Sequence, residues 1–339
     1  MRRFISRTSG LALAITTVFA VSGCNESSTG ATATPAKATG TNAAGEKTWQ
    51  VVTTTGMVTD IVREIAGPRA DVVALMGAGV DPHLYKPTRN DMKRLLDADA
   101  VFYSGLVLEG RMTDTFTQLA GQGKKVVPVT AGLDESRLRE PPEFSGHYDP
   151  HVWMDVMLWS DCVRSVGDEL AKFDAAHADE FRLRTDAYCA RLTELDAYVE
   201  KVIASIPESQ RVLVTAHDAF GYFGQRYKLE VRSVQGVTTE SEAGVQDVNR
   251  LVDFLVERKL PAIFVESSVN SKNITAVIEG CQSRGVTVKI GAELYSDALG
   301  EAGTYEGTYL GMIDANATRI ARALGGDAPE SGWQGKLTH

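Results

Sequence analysis

The sequence predicts an α/β protein of two (β/α) lobes with mainly parallel sheets, joined by one long rigid helix. Three observations predict it. Short apolar runs alternate with amphipathic helical stretches from about residue 49. The alternation stops near residue 130 and resumes near residue 211. Between the two blocks lies a helical pattern from about 177 to 206, without internal Gly or Pro. Strand and helix in alternation make a parallel sheet covered on both faces. The stretch is also about twice the usual single-domain length, which favours two lobes.

In the first block, strands are expected over 50–54, 71–75, 100–103 and 125–129, and helices over 57–65, 89–96 and 111–119. A Pro-rich loop with Pro141 and Pro142 follows, then a helix over 157–173. The long helix over 177–206 places Phe181, Tyr188, Leu192, Leu195, Val199 and Val202 at helical spacing. At about 1.5 Å per residue it would run about 45 Å, enough to cross from one lobe to the other. In the second block, strands are expected over 211–216, 229–234, 262–265 and 286–290. Helices are expected over 219–227, 245–258, 270–284 and 305–324. The boundaries expected are a first lobe over 49–175, a linking helix over 176–206, a second lobe over 207–325 and a tail over 326–339.

The N-terminus has a different chemistry. Arg2, Arg3 and Arg7 precede an apolar stretch over 11–21, too short to span a membrane, which ends in Val21-Ser22-Gly23-Cys24. Small residues before a cysteine read as a lipoprotein signal over 1–23, cleaved before a lipidated Cys24. Such a protein sits outside the cytoplasm, anchored to a bacterial membrane by its N-terminal lipid. Residues 25–47 are mostly Ala, Thr, Gly, Ser and Asn with no apolar face, and 24–48 is expected to be a disordered tether. The signal holds three Arg and no acid, so its loss takes the formal net charge from −9 to −12. That argues against nucleic acid and an anionic membrane surface as partners, and is compatible with a cation ligand.

Besides Cys24 the chain has Cys162, Cys189 and Cys281, none in C-x-x-C spacing. Cys162 and Cys189 fall on consecutive expected helices. Antiparallel packing would allow a disulfide, and buried free thiols fit the sequence equally.

Asp-Pro-His occurs twice, at Asp81-Pro82-His83 and Asp149-Pro150-His151, in a chain with 6 His and 11 Pro. Each proline stiffens a loop directly before an imidazole. His217 follows the strand Val212-Leu213-Val214-Thr215, and Asp297 lies in Leu294-Tyr295-Ser296-Asp297. Ligands bind beyond the carboxyl ends of parallel strands, and all four residues fall there, two from each lobe. Three imidazoles and one carboxylate suit zinc or manganese in the cleft between the lobes. Taken singly, each residue has a plainer reading: a surface loop histidine for His83 and His151, a neighbour of a helix cap at Asp218 for His217, and a helix start for Asp297. His147 lies four residues before His151, but Pro150 blocks the helix that would pair them. His177 and His339 read as solvated. Glu240, Glu242 and Glu266 lie near the same edge and are expected to support or line the cleft rather than ligate.

These stretches resemble the TroA-like metal-binding lipoproteins that feed bacterial zinc, manganese or iron ABC importers. The resemblance rests on Gly79-Val80-Asp81-Pro82-His83, Asp149-Pro150-His151-Val152-Trp153-Met154-Asp155, Thr215-Ala216-His217-Asp218-Ala219-Phe220-Gly221-Tyr222-Phe223 and Leu294-Tyr295-Ser296-Asp297-Ala298-Leu299. It runs from about Trp49 to Leu324. It implies His83, His151, His217 and Asp297 as ligands of one transported Zn2+ or Mn2+, a monomer, and an ABC permease with its ATPase as partners. Two departures bear on the metal. The loop over 134–145 is short and has no histidine, unlike the His-rich loop of many zinc members. The third ligand position is His217, where strict manganese members carry Glu.

The expectation is capture and delivery of a cation, not catalysis. A zinc hydrolase is the first rival, although no H-E-x-x-H helix is present and a fourth ligand fills the position that a catalytic water needs. An adhesin with a structural metal is the second, and it would unfold when stripped.

Overall fold

The computed structural model describes residues 40–41, 45 and 47–337. The signal segment, Cys24, most of the tether and His339 lie outside the described residues. No described helix is long and apolar enough to cross a membrane.

The first lobe is built on β2 (Lys47–Thr53), β3 (Ala70–Ala74), β4 (Ala100–Tyr103) and β5 (Lys125–Pro128). They pair in parallel in the order β3-β2-β4-β5, with Val51 opposite both Val72 and Ala100. Gly40 and Thr41, placed in the tether by composition, form β1 and pair antiparallel with Thr48 and Lys47. Ladder hydrogen bonds use only the backbone, so an apolar face is not required of an edge pair this short.

α1 (Gly56–Ala66) shows how the helices dock. Thr55 caps its N-terminus, and Met57, Val58, Ile61, Val62 and Ile65 have no solvent exposure. Each such side chain contributes about 1.5–3 kcal/mol by leaving water. The helix stops at Gly67, whose φ of 53° is one that L side chains avoid. α2 (Arg89–Asp97) begins in a capping box between Thr88 and Asp91. The helix expected from residue 111 starts as a 3-10 turn over Gly110–Met112 and becomes α3 at Thr113–Gly121.

α4 (Val156–Phe173) and α5 (Ala178–Ala204) form the spine. Gly167 lets them close, since a Cβ there would lie 2.2 Å from Thr185 Oγ1. Cys162 and Cys189 are on these two helices, and both are buried free thiols, as is Cys281. The 27 residues of α5 span about 40 Å. The helix does not cross bare. Tyr188 donates to Asp60 Oδ2 on α1 at 2.7 Å, and Tyr198 meets Thr318 of the second lobe at 2.7 Å. Arg226 and Tyr227 of the second lobe donate to Asp196 at 2.6 and 2.8 Å. Burial raises the Asp60 carboxyl to about 6. Trp159, Leu192, Phe223 and Tyr309 belong to one apolar core that continues across both lobes. A shared core resists wide separation of the lobes, because opening would expose it to water.

The second lobe has two parallel pairs: β6 (Val212–Thr215) with β7 (Glu230–Ser233), and β8 (Ala262–Glu266) with β9 (Lys289–Leu294). β6 lies beside β8. Its helices are α6 (Gly221–Tyr227), α7 (Val245–Arg258), α8 (Lys272–Ser283) and α9 (Tyr309–Ala323). The last strand differs from the expected 286–290. Val288 is buried on the approach, but pairing with β8 begins only at Lys289 and runs to Leu294, so Asp297 stands three residues past a strand end. The last helix starts at Tyr309 rather than 305 because Thr308 caps it, accepting from Gly311 N.

Candidate metal centre

His83, His151, His217 and Asp297 come together between the lobes, each offering one donor atom, all within 4.8 Å of one another. His151 Nε2 lies 3.3 Å from Asp297 Oδ1, and His217 Nε2 lies 3.1 Å from Asp297 Oδ2. His83 Nε2 is 3.4 Å from His151 Nε2 and 3.8 Å from Asp297 Oδ2. A tetrahedron with bonds of about 2.1 Å has edges of about 3.4 Å, so these spacings suit a small tetrahedral cation. His217 Nε2 and both Asp297 oxygens are buried without a hydrogen-bond partner. Buried polar atoms are ordinarily paired, so three that face one another without a partner suit a shared cation.

The repeated tripeptide has a local cause. In each copy the aspartate accepts the backbone N–H of the histidine two residues on, Asp81 from His83 at 2.9 Å and Asp149 from His151 at 3.0 Å. This is an Asx turn, and the intervening proline fixes φ and has no N–H to compete. The second oxygens diverge. Asp149 Oδ2 takes the Arg139 guanidinium at 2.5 Å, while Asp81 Oδ2 accepts from Thr239 of the second lobe at 2.6 Å. Asp149 Oδ1 also accepts Nδ1–H of His151 at 2.7 Å, which leaves Nε2 for the cluster.

His217 is oriented from β8. Glu266 Oε2 accepts its Nδ1–H at 2.5 Å, and Oε1 accepts the backbone N–H groups of Ala216 and His217 at 2.7 and 2.8 Å. The Glu266 carboxylate thereby joins the carboxyl ends of β6 and β8. Glu266→Gln leaves one acceptor oxygen for three donors. We expect metal affinity to fall about 10–100-fold with the fold retained, checked by competitive titration against a chelating indicator.

Asp297 is held from both sides. Asn316 of α9 accepts Tyr295 N–H at 2.9 Å and donates to Tyr295 O at 2.7 Å. Trp153 Nε1 donates to Ser296 O at 2.9 Å, and Tyr309 OH donates to Trp153 O at 2.7 Å. The loop carrying Asp297 is therefore fixed to both lobes.

The imidazoles differ in charge. Burial, reinforced by the neighbouring imidazoles, lowers His83 to about 3. Burial also opposes protonation of His151, but the carboxylates of Asp149 and Asp297 outweigh it and raise the group to about 9. Against the same cost of burial, Glu266 and Asp297 hold His217 well above its usual value. Asp297, despite burial, is held well below the carboxylate range by His217 and His151. These shifts favour the ionised carboxylate at Asp297 and protonation at His151 and His217, and disfavour it at His83.

Other candidates lie apart from the cluster. His147 is exposed and stacks on Phe144 at 5.2 Å. His177 pairs with Asp174 at 2.8 Å, at the start of the long helix. Glu240 and Glu242 are exposed, and Glu240 accepts from Arg111 at 3.0 Å. Asp218 does not cap α6, whose cap position is Phe220. Arg139, Asn316, Thr239 and Trp153 are further supports that the sequence alone does not predict. Only Trp153 carried a signal, two residues past the second Asp-Pro-His.

The chain matches the family described as zinc-uptake complex component A, periplasmic, over residues 51–323. It is 43% identical over 314 residues to the manganese-binding lipoprotein MntA of Bacillus subtilis, covering 93% of this chain and 98% of that one. It is 47% identical over 274 residues to the zinc-binding protein TroA of Treponema pallidum, covering 81% and 88%. The solved structure of periplasmic zinc-binding TroA from Treponema pallidum superposes with a TM-score of 0.79, covering 82% of this chain and 99% of that one. A profile match over most of the chain, joined to this shared two-lobe fold, places the protein in the zinc-uptake complex component A family.

Proposed function

We propose that this protein captures one divalent transition-metal ion, zinc or manganese, outside the cytoplasm and hands it to an ABC permease driven by its ATPase. The observation that carries the reading is the buried cluster of three imidazoles and one carboxylate whose facing atoms lack partners. His83, His151, His217 and Asp297 are the ligands in this reading. Relatives named for manganese and for zinc support both cargoes. Donor chemistry favours zinc in vitro, because zinc binds more tightly than manganese at any such site. Cys24 would carry the lipid that keeps a monomer at the membrane, after removal of residues 1–23.

The supports favour binding over catalysis. A hydrolase needs a free base beside a metal-bound water. Glu266 has its oxygens engaged by His217 and two backbone N–H groups, and Glu240 by Arg111. The experiment is elemental analysis of the chain from residue 25 onward, stripped with chelator and reloaded with zinc or manganese, with circular dichroism on both forms. One ion per chain and a folded metal-free state are expected. No stoichiometric ion would end the proposal, and unfolding on stripping would turn it into a structural site.

A further inference from the structure

Of the four clustered side chains, only His83 meets open space. The side chains of His151, His217 and Asp297 have no exposure, while His83 keeps 4%. A cavity of about 230 Å³ reaches it, walled by residues from 107–110 and 144–150 of the first lobe and by Thr238 and Glu240 of the second. No other cluster residue lines that cavity.

Two contacts join the lobes beside its Thr238 and Glu240 wall. Thr239 Oγ1 donates to Asp81 Oδ2 at 2.6 Å. Arg111 Nε donates to Glu240 Oε1 at 3.0 Å, and Arg111 Nη1 donates to the carbonyl of Leu84, the residue after His83, at 3.3 Å. One guanidinium thus grips the His83 loop and the opposite wall together. The neighbouring loop is a stiff frame. Leu106 and Val107 have φ of 51° and 66°, which is costly for a β-branched valine. The buried Glu109 carboxylate pins it, accepting from Thr54 Oγ1 at 2.6 Å and from Ser104 N at 2.8 Å. A strap between a stiff frame and the second lobe can open by side-chain motion alone, without separating the shared core.

We infer that the ion enters and leaves past His83 through this vestibule, and that the Arg111–Glu240 pair is the strap whose opening sets the exchange rate. This rests on the proposed reading of the cluster as the metal site. The pair is partly exposed, so its effect is modest, about two- to fivefold.

The charges allow a clean test. If the pair acted only through its field on an approaching cation, Arg111→Met would speed uptake and Glu240→Gln would slow it. If it acts as a strap, both variants speed uptake. Stopped-flow uptake of zinc by the full-length chain in detergent, and release from it to excess EDTA, would be timed for both variants. The expected result is that uptake and release rise together, about two- to fivefold in each variant, with Kd unchanged within about twofold. Opposite signs on uptake, or unchanged rates, with one ion still bound, would overturn the strap and leave the site standing. A parent chain that takes up no stoichiometric zinc would bring down the reading of the site, and the passage with it.

Discussion

His217→Ala is expected to remove nearly all of the thermal stabilisation that a bound ion confers. A ligand at about 1,000 times its Kd stabilises a protein by about 4.1 kcal/mol. In a domain of this size that is a rise of about 8–16 °C, at about 2–4 °C per kcal/mol. Loss of one donor of four should cost on the order of a thousandfold in affinity, at about 1.4 kcal/mol per tenfold, leaving a rise under about 2 °C. The variant also removes the partner of Glu266 Oε2, a fully buried oxygen. Breaking a buried pair costs up to about 3–5 kcal/mol, so the metal-free melting temperature should fall as well. The two effects separate when each chain is melted with and without zinc, since only the difference reports binding. His177→Ala, remote from the cluster, should keep the full difference. A full rise in His217→Ala would show that the ion binds elsewhere.

The candidate site was legible where the chemistry of a residue and its place on the fold coincide. The two Asp-Pro-His copies, the histidine after β6 and the aspartate after β9 all announce themselves at strand ends, and the structure gathers all four. What holds them was less legible, because support is a matter of reach rather than sequence distance. Arg139 reaches Asp149 from an irregular loop, and Asn316 clamps Tyr295 from a helix face that otherwise packs apolar core. Neither carries a pattern. Glu266 was visible as a carboxylate at a strand end, though not as the partner of His217. In the fold, apolar periodicity located the helices of both lobes but mistook the approach to β9 for the strand. There the alternation of Val286 and Val288 precedes the backbone pairing, which reaches across Ile290 and Gly291. The same patterns suggested two lobes on a rod. They could not show that α1, α4, α5 and α9 share one core, since a buried helix face does not say which lobe buries it.

Affinity for zinc is expected to climb from pH 6 to about pH 9, with protons released as the ion binds near pH 7. The metal needs bare Nε2 atoms. His83, lowered to about 3, has no proton to give in this range. His151, raised to about 9, and His217, held well above its usual value, each carry one that the ion must displace. Asp297 stays ionised throughout, being held well below its usual range. The apparent log Kd should therefore keep moving above about pH 7 and flatten only as His151, at about 9, titrates. Ordinary imidazoles near 6.5 would instead level off by about pH 7.5 and release almost nothing at pH 8. Calorimetry in buffers of different ionisation enthalpy counts the protons, and a count near zero at pH 7 would refute the charge assignment. The sign for stability runs the other way. A histidine with a raised folded pKa contributes its full stabilisation below the unfolded value of about 6.5 and loses it as pH rises through about 9. The same shifts favour protons on His151 and His217 opposite Asp297 when no cation is held there. A cluster whose charges balance in this way is expected to stay folded without metal, which delivery requires and a structural metal site would not show.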